Sequence, residues 1–300
     1  MNYKIISDNG FKFVVAALAI ITYSAQTKSE ASESPRIVTV GGAATEIVFA
    51  LGSGDSVVAT DLSSIYPPEA RKLPMVGYVR SVSPEGILSM EPDLVIATGA
   101  FGPPTARQMM ERLDVKTLWL PDLKSPNDLK LSITKVAEEL GDPALAKPLI
   151  QVVDFDLNEA ATRAEVWSES IPSVLFLIEP PGPTKSGMGG GVDSSADTLI
   201  KLAGGTNAVT NFSGFKPVSV ESLVAMNPNV ILVGQSDNHG GSPESIQAMI
   251  ENPALAGVDA IATGSVHIVP LDDLSFGPRL GKAALRWNSL IGEAIDSAAE

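Results

Sequence analysis

The stretch VGYVRSVSPEG, Val76 to Gly86, sets a phenol and a guanidinium two residues apart, at Tyr78 and Arg80, with Val79 between them. The alternation reads as extended chain or loop rather than helix. Two chemistries fit such a pair. One is ordinary surface hydration. The other is metal ligation: a phenol titrates at about 10, so it binds a metal well only as phenolate, and a nearby cation favours that form.

The same stretch runs into a repeat. Val82 to Ala97 reads VSPEGILSMEPDLVIA and Val218 to Val233 reads VSVESLVAMNPNVILV. Each copy predicts a short helix capped by a serine, with a glutamate, Glu85 or Glu221, where negative charge suits the helix dipole. A proline then breaks the helix before an apolar run that reads as a buried parallel strand. The preceding units also correspond. RIVTV leads through GGAATEIVFALGSGDSVVATD as strand, Gly-rich turn, amphipathic helix, Gly stop and short strand. SVLFLI leads through a Gly-rich loop to SSADTLIKLAGGTNAVT in the same order. The repeat predicts an α/β fold of two similar Rossmann-like lobes, over 36–142 and 170–300. Between them, 143–169 is free of glycine and predicts one long α-helix, kinked or restarted at Pro148. Such a spine is stiff, so large lobe closure is not expected.

At 300 residues with 44% hydrophobic content the chain can hold one large domain or two lobes, with substantial cores. A net charge of −14 argues against nucleic acid or an anionic membrane surface as partner. Lys4 and Lys12 precede the apolar run FVVAALAII, too short to span a bilayer, and small residues follow at Ser24 and Ala25. Residues 1–25 therefore read as a cleaved export signal, the alternative being a membrane-retained anchor, and 26–35 as a disordered leader. There is no cysteine, hence no disulfide, thiolate site or lipidated cysteine. These features predict a freely diffusing, monomeric periplasmic protein.

The runs GGAATEIVFALG, YPPEARKLPMVGYVRSVSPEGILSMEPDLVI, VSVESLVAMNPNVIL and FGPRLGKAALRW resemble the periplasmic substrate-binding proteins of ABC importers for haem, siderophores and cobalamin. The likeness covers Arg36 to the C-terminus and is greatest to the haem-binding members. It implies that Tyr78 is the axial ligand of ferric haem, carried as cargo, with Arg80 beside the phenolate or a propionate. It further implies that Glu85 and Glu221 dock on arginines of a dimeric inner-membrane permease with its ATPase. Glu46, near a helix start, is a rival docking residue.

Other side chains have weaker claims. Haem iron accepts His, Met, Tyr or Cys. After signal removal the tyrosines are Tyr66 and Tyr78 and the histidines His239 and His267. Tyr66, in SSIYPPEA, packs against its prolines or lines the cleft. His267 reads as a satisfied structural histidine on a strand. His239 follows the strand VILV, at the carboxyl end where α/β sheets bind ligands, as a solvent-exposed loop residue or a pocket residue. Some relatives of this class offer a histidine after the second lobe's first strand, but here that loop begins EPPGPTKSGMGGG. Met188 in it is a poor ligand for ferric iron. Lys185 could meet a propionate, and Gly187, Gly189, Gly190 and Gly191 either let backbone approach a macrocycle or form a mobile rim.

A ferric siderophore or cobalamin carrier of the same class is the alternative. A siderophore brings its iron already ligated and calls for several basic residues. No nucleophile elbow, zinc-binding HExxH or haem-attachment cysteines point to an enzyme.

Overall fold

In the computed structural model the described residues are 34–167, 170–182, 184–236 and 240–298. The proposed export signal, nearly all of the leader, the last two residues of the expected spine and His239 lie outside them. The first lobe runs β1 (Ile37–Val40), α1 (Gly42–Ala50), β2 (Val57–Ala59), a short hairpin of β3 (Gly77–Tyr78) and β4 (Ser81–Val82), α2 (Pro84–Leu88), β5 (Leu94–Ala97), α3 (Pro104–Arg112), β6 (Thr117–Trp119) and α4 (Pro126–Glu139). Helix α5 (Ala146–Ala164) leads to the second lobe. There follow β7 (Ser173–Glu179), β8 (Gly187–Gly190), α6 (Ser195–Leu202), β9 (Thr206–Asn207), β10 (Phe215–Val218), α7 (Val220–Met226), β11 (Val230–Gln235), α8 (Pro243–Ile250), α9 (Asp259–Ala262), β12 (Val266–Pro270) and α10 (Leu280–Ala298). No helix among the described residues is long and apolar enough to cross a membrane.

The first sheet is parallel throughout, in the order β2-β1-β5-β6. The second has the order β10-β8-β7-β11-β12, with β9 beside β7, and is parallel except at β8, which runs against both of its neighbours. Both sheets are covered on both faces, which is why their central strands are apolar without alternation. In β1, Ile37 joins a core with Ile47, Val153 and Trp287, while Val38 and Val40 join another with Ile87 and Met110. The second lobe repeats the pattern, with Phe176 in the shared core and Leu175 and Leu177 against Leu223 and Met249.

The spine is shorter than 143–169. Helix α5 has 19 residues, preceded by a 3-10 turn at Pro143–Leu145 and followed by another at Glu165–Trp167. Pro148 neither kinks nor restarts it. It stands in the first turn, where its missing N–H would have no intrahelical acceptor in any case. Helix α10 lies along α5, a second long element the repeat did not predict. Gly281 permits this approach, since a Cβ there would lie 2.5 Å from the Asp156 Cβ. The buried Asn288 amide donates to the carbonyls of Ala160 in α5 (3.2 Å) and Ala203 after α6 (3.1 Å). Trp287 stacks on Phe176 at 5.3 Å and donates its indole N–H to Asp273 at 3.0 Å.

Candidate functional site

The hairpin β3–β4 presents Tyr78. Val76, Val79 and Val82 are buried in the outer core of the first lobe, so the residues between them are turned outward. Tyr78 is 46% exposed, and Arg80, at the turn, is exposed too. Gly77 makes the hairpin possible: its φ is +116°, and a Cβ would come within 2.7 Å of the Ser81 carbonyl oxygen. The hairpin is pinned to the loop after β5, where the Gly102 N–H donates to the Val79 carbonyl and the Val82 N–H to the Gly102 carbonyl, both at 2.8 Å. The Leu62 N–H donates to the Gly77 carbonyl at 2.9 Å, which fastens it to the loop after β2 as well. Tyr78 therefore stands on a fixed platform at the carboxyl end of the sheet.

The base of that platform is a buried polar knot. Asp61, fully buried after β2, accepts from the Gly41 N–H (2.7 Å), the Ser63 N–H (2.9 Å) and the hydroxyls of Ser63 and Ser64. Thr45 links it to Thr39 and Ser64, each at 2.7 Å. A carboxylate so supplied with donors is satisfied in the interior and fixes the loop that carries Tyr66.

Tyr66 does not pack simply on its prolines. The guanidinium of Arg279 lies over its ring, 3.7 Å from the centroid. Arg279 is the last residue of the segment leading from β12 into α10, so this contact joins the lobes. The same guanidinium donates to Glu46 from Nε (3.0 Å) and Nη2 (2.8 Å), and to Asp272 (2.8 Å). The Ser275 hydroxyl also donates to Glu46, at 2.8 Å. Glu46 is only 4% exposed, which removes it as a docking residue. Burial pushes its carboxyl above the ordinary value, partly offset by Arg279 and Ser275. Burial works against the Arg279 charge, but the bonds and charges of Glu46 and Asp272 outweigh it and hold the guanidinium firmly protonated. In the sequence Arg279 stands within FGPRLGKAALRW, where nothing local marks it as a partner of Glu46. A lone carboxylate in the apolar helix GAATEIVFA was the available sign that a buried cation must meet it.

In the second lobe Lys185 sits in the β7–β8 turn and pairs with Glu179, both side chains well exposed. An exposed pair of this kind contributes at most about 1 kcal/mol, so Lys185 is free to change partners. The glycines beside it are neither a mobile rim nor a surface for close ligand approach. Gly187, Gly189 and Gly190 belong to strand β8, and added Cβ atoms would meet Glu179 backbone at 2.4 Å, Val218 at 2.6 Å and Ala196 at 2.6 Å. At Gly191 the obstacle is Phe212 at 2.4 Å. They are small because the protein packs on them, and Met188 between them is half-buried. His267 is on edge strand β12, but its Nε2 is buried and meets no hydrogen-bond partner among the described residues, and burial lowers its pKa against the pull of Glu293.

Glu85 and Glu221 occupy the same position in matching helices. Ser83 caps α2, accepting from the Gly86 N–H at 3.0 Å, and Ser219 caps α7, accepting from the Ser222 N–H at 3.2 Å. Both glutamates are exposed. The Glu221 carboxyl titrates below its ordinary value because its own backbone N–H and the Ser219 hydroxyl bond to it. A cavity of about 460 Å³ beside Phe49, Asp55, Val57 and Leu73 opens at the amino end of β2, the opposite end of the sheet, and holds none of the candidate residues.

Comparison with known proteins agrees with this architecture. The structure superposes on the periplasmic haem-binding protein RhuT from Roseiflexus sp. RS-1 with a TM-score of 0.76 and 33% identity, covering 87% of this chain and 99% of that one. A vitamin B12-binding protein of Vibrio vulnificus (strain CMCP6) is 27% identical over 222 residues, 73% of this chain and 75% of the relative. The uncharacterized ABC transporter substrate-binding lipoprotein YvrC of Bacillus subtilis (strain 168) is 27% identical over 202 residues, 67% of this chain and 63% of its own length. The periplasmic binding protein family profile matches residues 37–272, most of the chain, and the chain belongs to that family of binding proteins.

Proposed function

We propose that this protein is an exported, monomeric carrier that binds ferric haem through the Tyr78 phenolate between the carboxyl-end loops of its lobes. It delivers that cargo to an inner-membrane ABC permease dimer and its ATPase. The observation that carries the reading is the exposed phenol on a hairpin whose three valines are buried. Ferric iron, as a Lewis acid, stabilises the phenolate, and Arg80 on the same turn adds positive charge for the phenolate or a propionate. Lys185, by leaving Glu179, is available to a second propionate, and His239, in the sequence following β11, is a further candidate for the cargo. Likeness to RhuT supports the cargo, and the substrate-binding name of YvrC supports the partner. Glu85 and Glu221 are the docking carboxylates, one on each lobe.

The second reading is a cobalamin carrier, favoured by the name of the Vibrio vulnificus relative. Cobalamin brings cobalt already enclosed in its corrin ring, so it gives a phenolate less to do. Optical titration with ferric haem, against calorimetric titration with cyanocobalamin, separates the two. The haem reading expects saturable one-site or two-site haem binding and no heat with cyanocobalamin; the reverse result refutes it.

A further inference from the structure

We propose that Arg279 is a positioning residue for the cleft: it locks the spacing of the two lobes and holds the Tyr66 ring at the carboxyl end of the first sheet. The spine helix α5 is the covalent connection, and the Arg279 cluster is a separate clamp on it. Glu46 comes from α1 in the first lobe, and Tyr66 from the loop after β2. Asp272, Ser275 and Arg279 come from the segment between β12 and α10, which leaves the second sheet and returns to the first lobe. One guanidinium thus carries two carboxylates in its plane and a tyrosine ring on its face.

Two features make this a clamp rather than surface decoration. Glu46 is 4% exposed, so loss of its cation strands a buried charge, a cost a surface pair does not carry. The packing is also specific to this approach: at Gly277, two residues before Arg279, a Cβ would lie 2.5 Å from the Glu46 Oε2. The segment needs glycine there to bring Arg279 down on the carboxylate. Elsewhere, besides the helical packing, the lobes are joined more lightly, as where the Thr198 hydroxyl donates to the Lys124 carbonyl at 3.2 Å.

The consequence for cargo rests on the carrier reading; the consequence for lobe spacing does not. If the clamp is released, the lobes sample several separations and only some suit the cargo. A fall of the competent fraction to one tenth weakens apparent affinity by about tenfold, without loss of any cargo contact.

The chain has no cysteine, so Ser89→Cys and Ala225→Cys, exposed positions equivalent in the repeat, just after α2 and within α7, can carry spin labels without background. Pulsed dipolar spectroscopy on the cargo-free protein should give one narrow inter-lobe distance. Arg279→Gln and Glu46→Gln should broaden it, and Arg279→Lys should restore part of the narrowing. In parallel, Arg279→Gln should weaken haem binding by about tenfold while the absorption spectrum of the bound haem stays that of the parent. Should Arg279→Gln not fold, Glu46→Gln, which removes one charge and keeps the side-chain shape, carries the same comparison. A distance distribution as narrow in folded variants as in the parent overturns the clamp. A broadened distribution with unchanged haem affinity overturns its positioning role. A broadened distribution in a protein whose parent binds no haem leaves the clamp standing and removes the haem reading.

Discussion

In the first lobe the turn after α2 closes on Glu91 at φ 48°, followed by Pro92 and β5; in the second α7 is capped by Asn227 at φ 41°, followed by Pro228 and β11. The Asp93 carboxylate accepts the Arg36 N–H just before β1 at 2.8 Å, and the Asn229 side chain accepts the Ser173 N–H at the start of β7 at 2.9 Å. The repeat thus preserves left-handed stops and strand anchors as well as apolar pattern. It fails between the first strand and first helix of each lobe. In the first, Gly41 at φ 101° turns β1 straight into α1. In the second, β8 is inserted and pairs with β7 and β10. The first lobe instead carries its extra hairpin between β2 and α2, and places Tyr78 there. The buried frame is common to both lobes, and the proposed cargo ligand Tyr78 lies on a segment that only the first inserts.

The largest effect on stability should come from the inserted strand. Gly190→Val drives a branched side chain toward Ala196, and overpacking of this kind costs about 1–3 kcal/mol, more if β8 detaches. Thermal unfolding checks it; a loss no greater than at an exposed site would show β8 to be a loosely held rim after all. Asp93→Ala and Asn229→Ala should each cost about 1 kcal/mol by chemical denaturation, as equivalent anchors. A cost in only one lobe breaks the equivalence. At the stops the lobes should differ in sign. Glu91→Gly relieves a long side chain of a left-handed backbone and should stabilise by about 0.5 kcal/mol. Asn227→Gly gives no such gain, because the Asn227 side chain accepts the Asp259 N–H at 2.9 Å.

The smallest effect is the acid dependence of α7. The folded Glu221 carboxyl titrates below its ordinary value of 4.5, so its contribution is present above that pH and fades as pH falls through the lowered folded value. Glu221→Gln should be slightly less stable than the parent at neutrality and converge on it as pH falls below 4.5, which flattens the acid limb. Stability curves against pH check this, and an unaltered acid limb contradicts it.

The frame was legible because it is local. Serine caps, prolines after helix ends and unbroken apolar runs predict α2, α7, β5 and β11 without knowledge of distant residues. Tyr78 and Arg80 were legible as outward residues from their alternation with valines. What was not legible depends on contacts far apart in the chain. Glu46 reads as a helix-start carboxylate until Arg279, 233 residues on, is seen against it. The glycines of 187–191 read as a loop because a Gly run lacks side chains to signal a strand; only the positions of Val218, Ala196 and Phe212 explain them. Pro148 reads as a kink until the helix start is fixed two residues before it.

The central claim is that the phenolate of Tyr78 meets the iron of the cargo. Its most direct test is the absorption spectrum and affinity of ferric haem with the parent protein and with Tyr78→Phe, which removes one oxygen and keeps the ring. The parent is expected to give the high-spin ferric spectrum of tyrosinate ligation, and the variant to lose that spectrum and bind haem at least about a hundredfold more weakly, the loss of roughly 3 kcal/mol of iron–oxygen bonding. An identical spectrum and affinity in Tyr78→Phe would contradict the account.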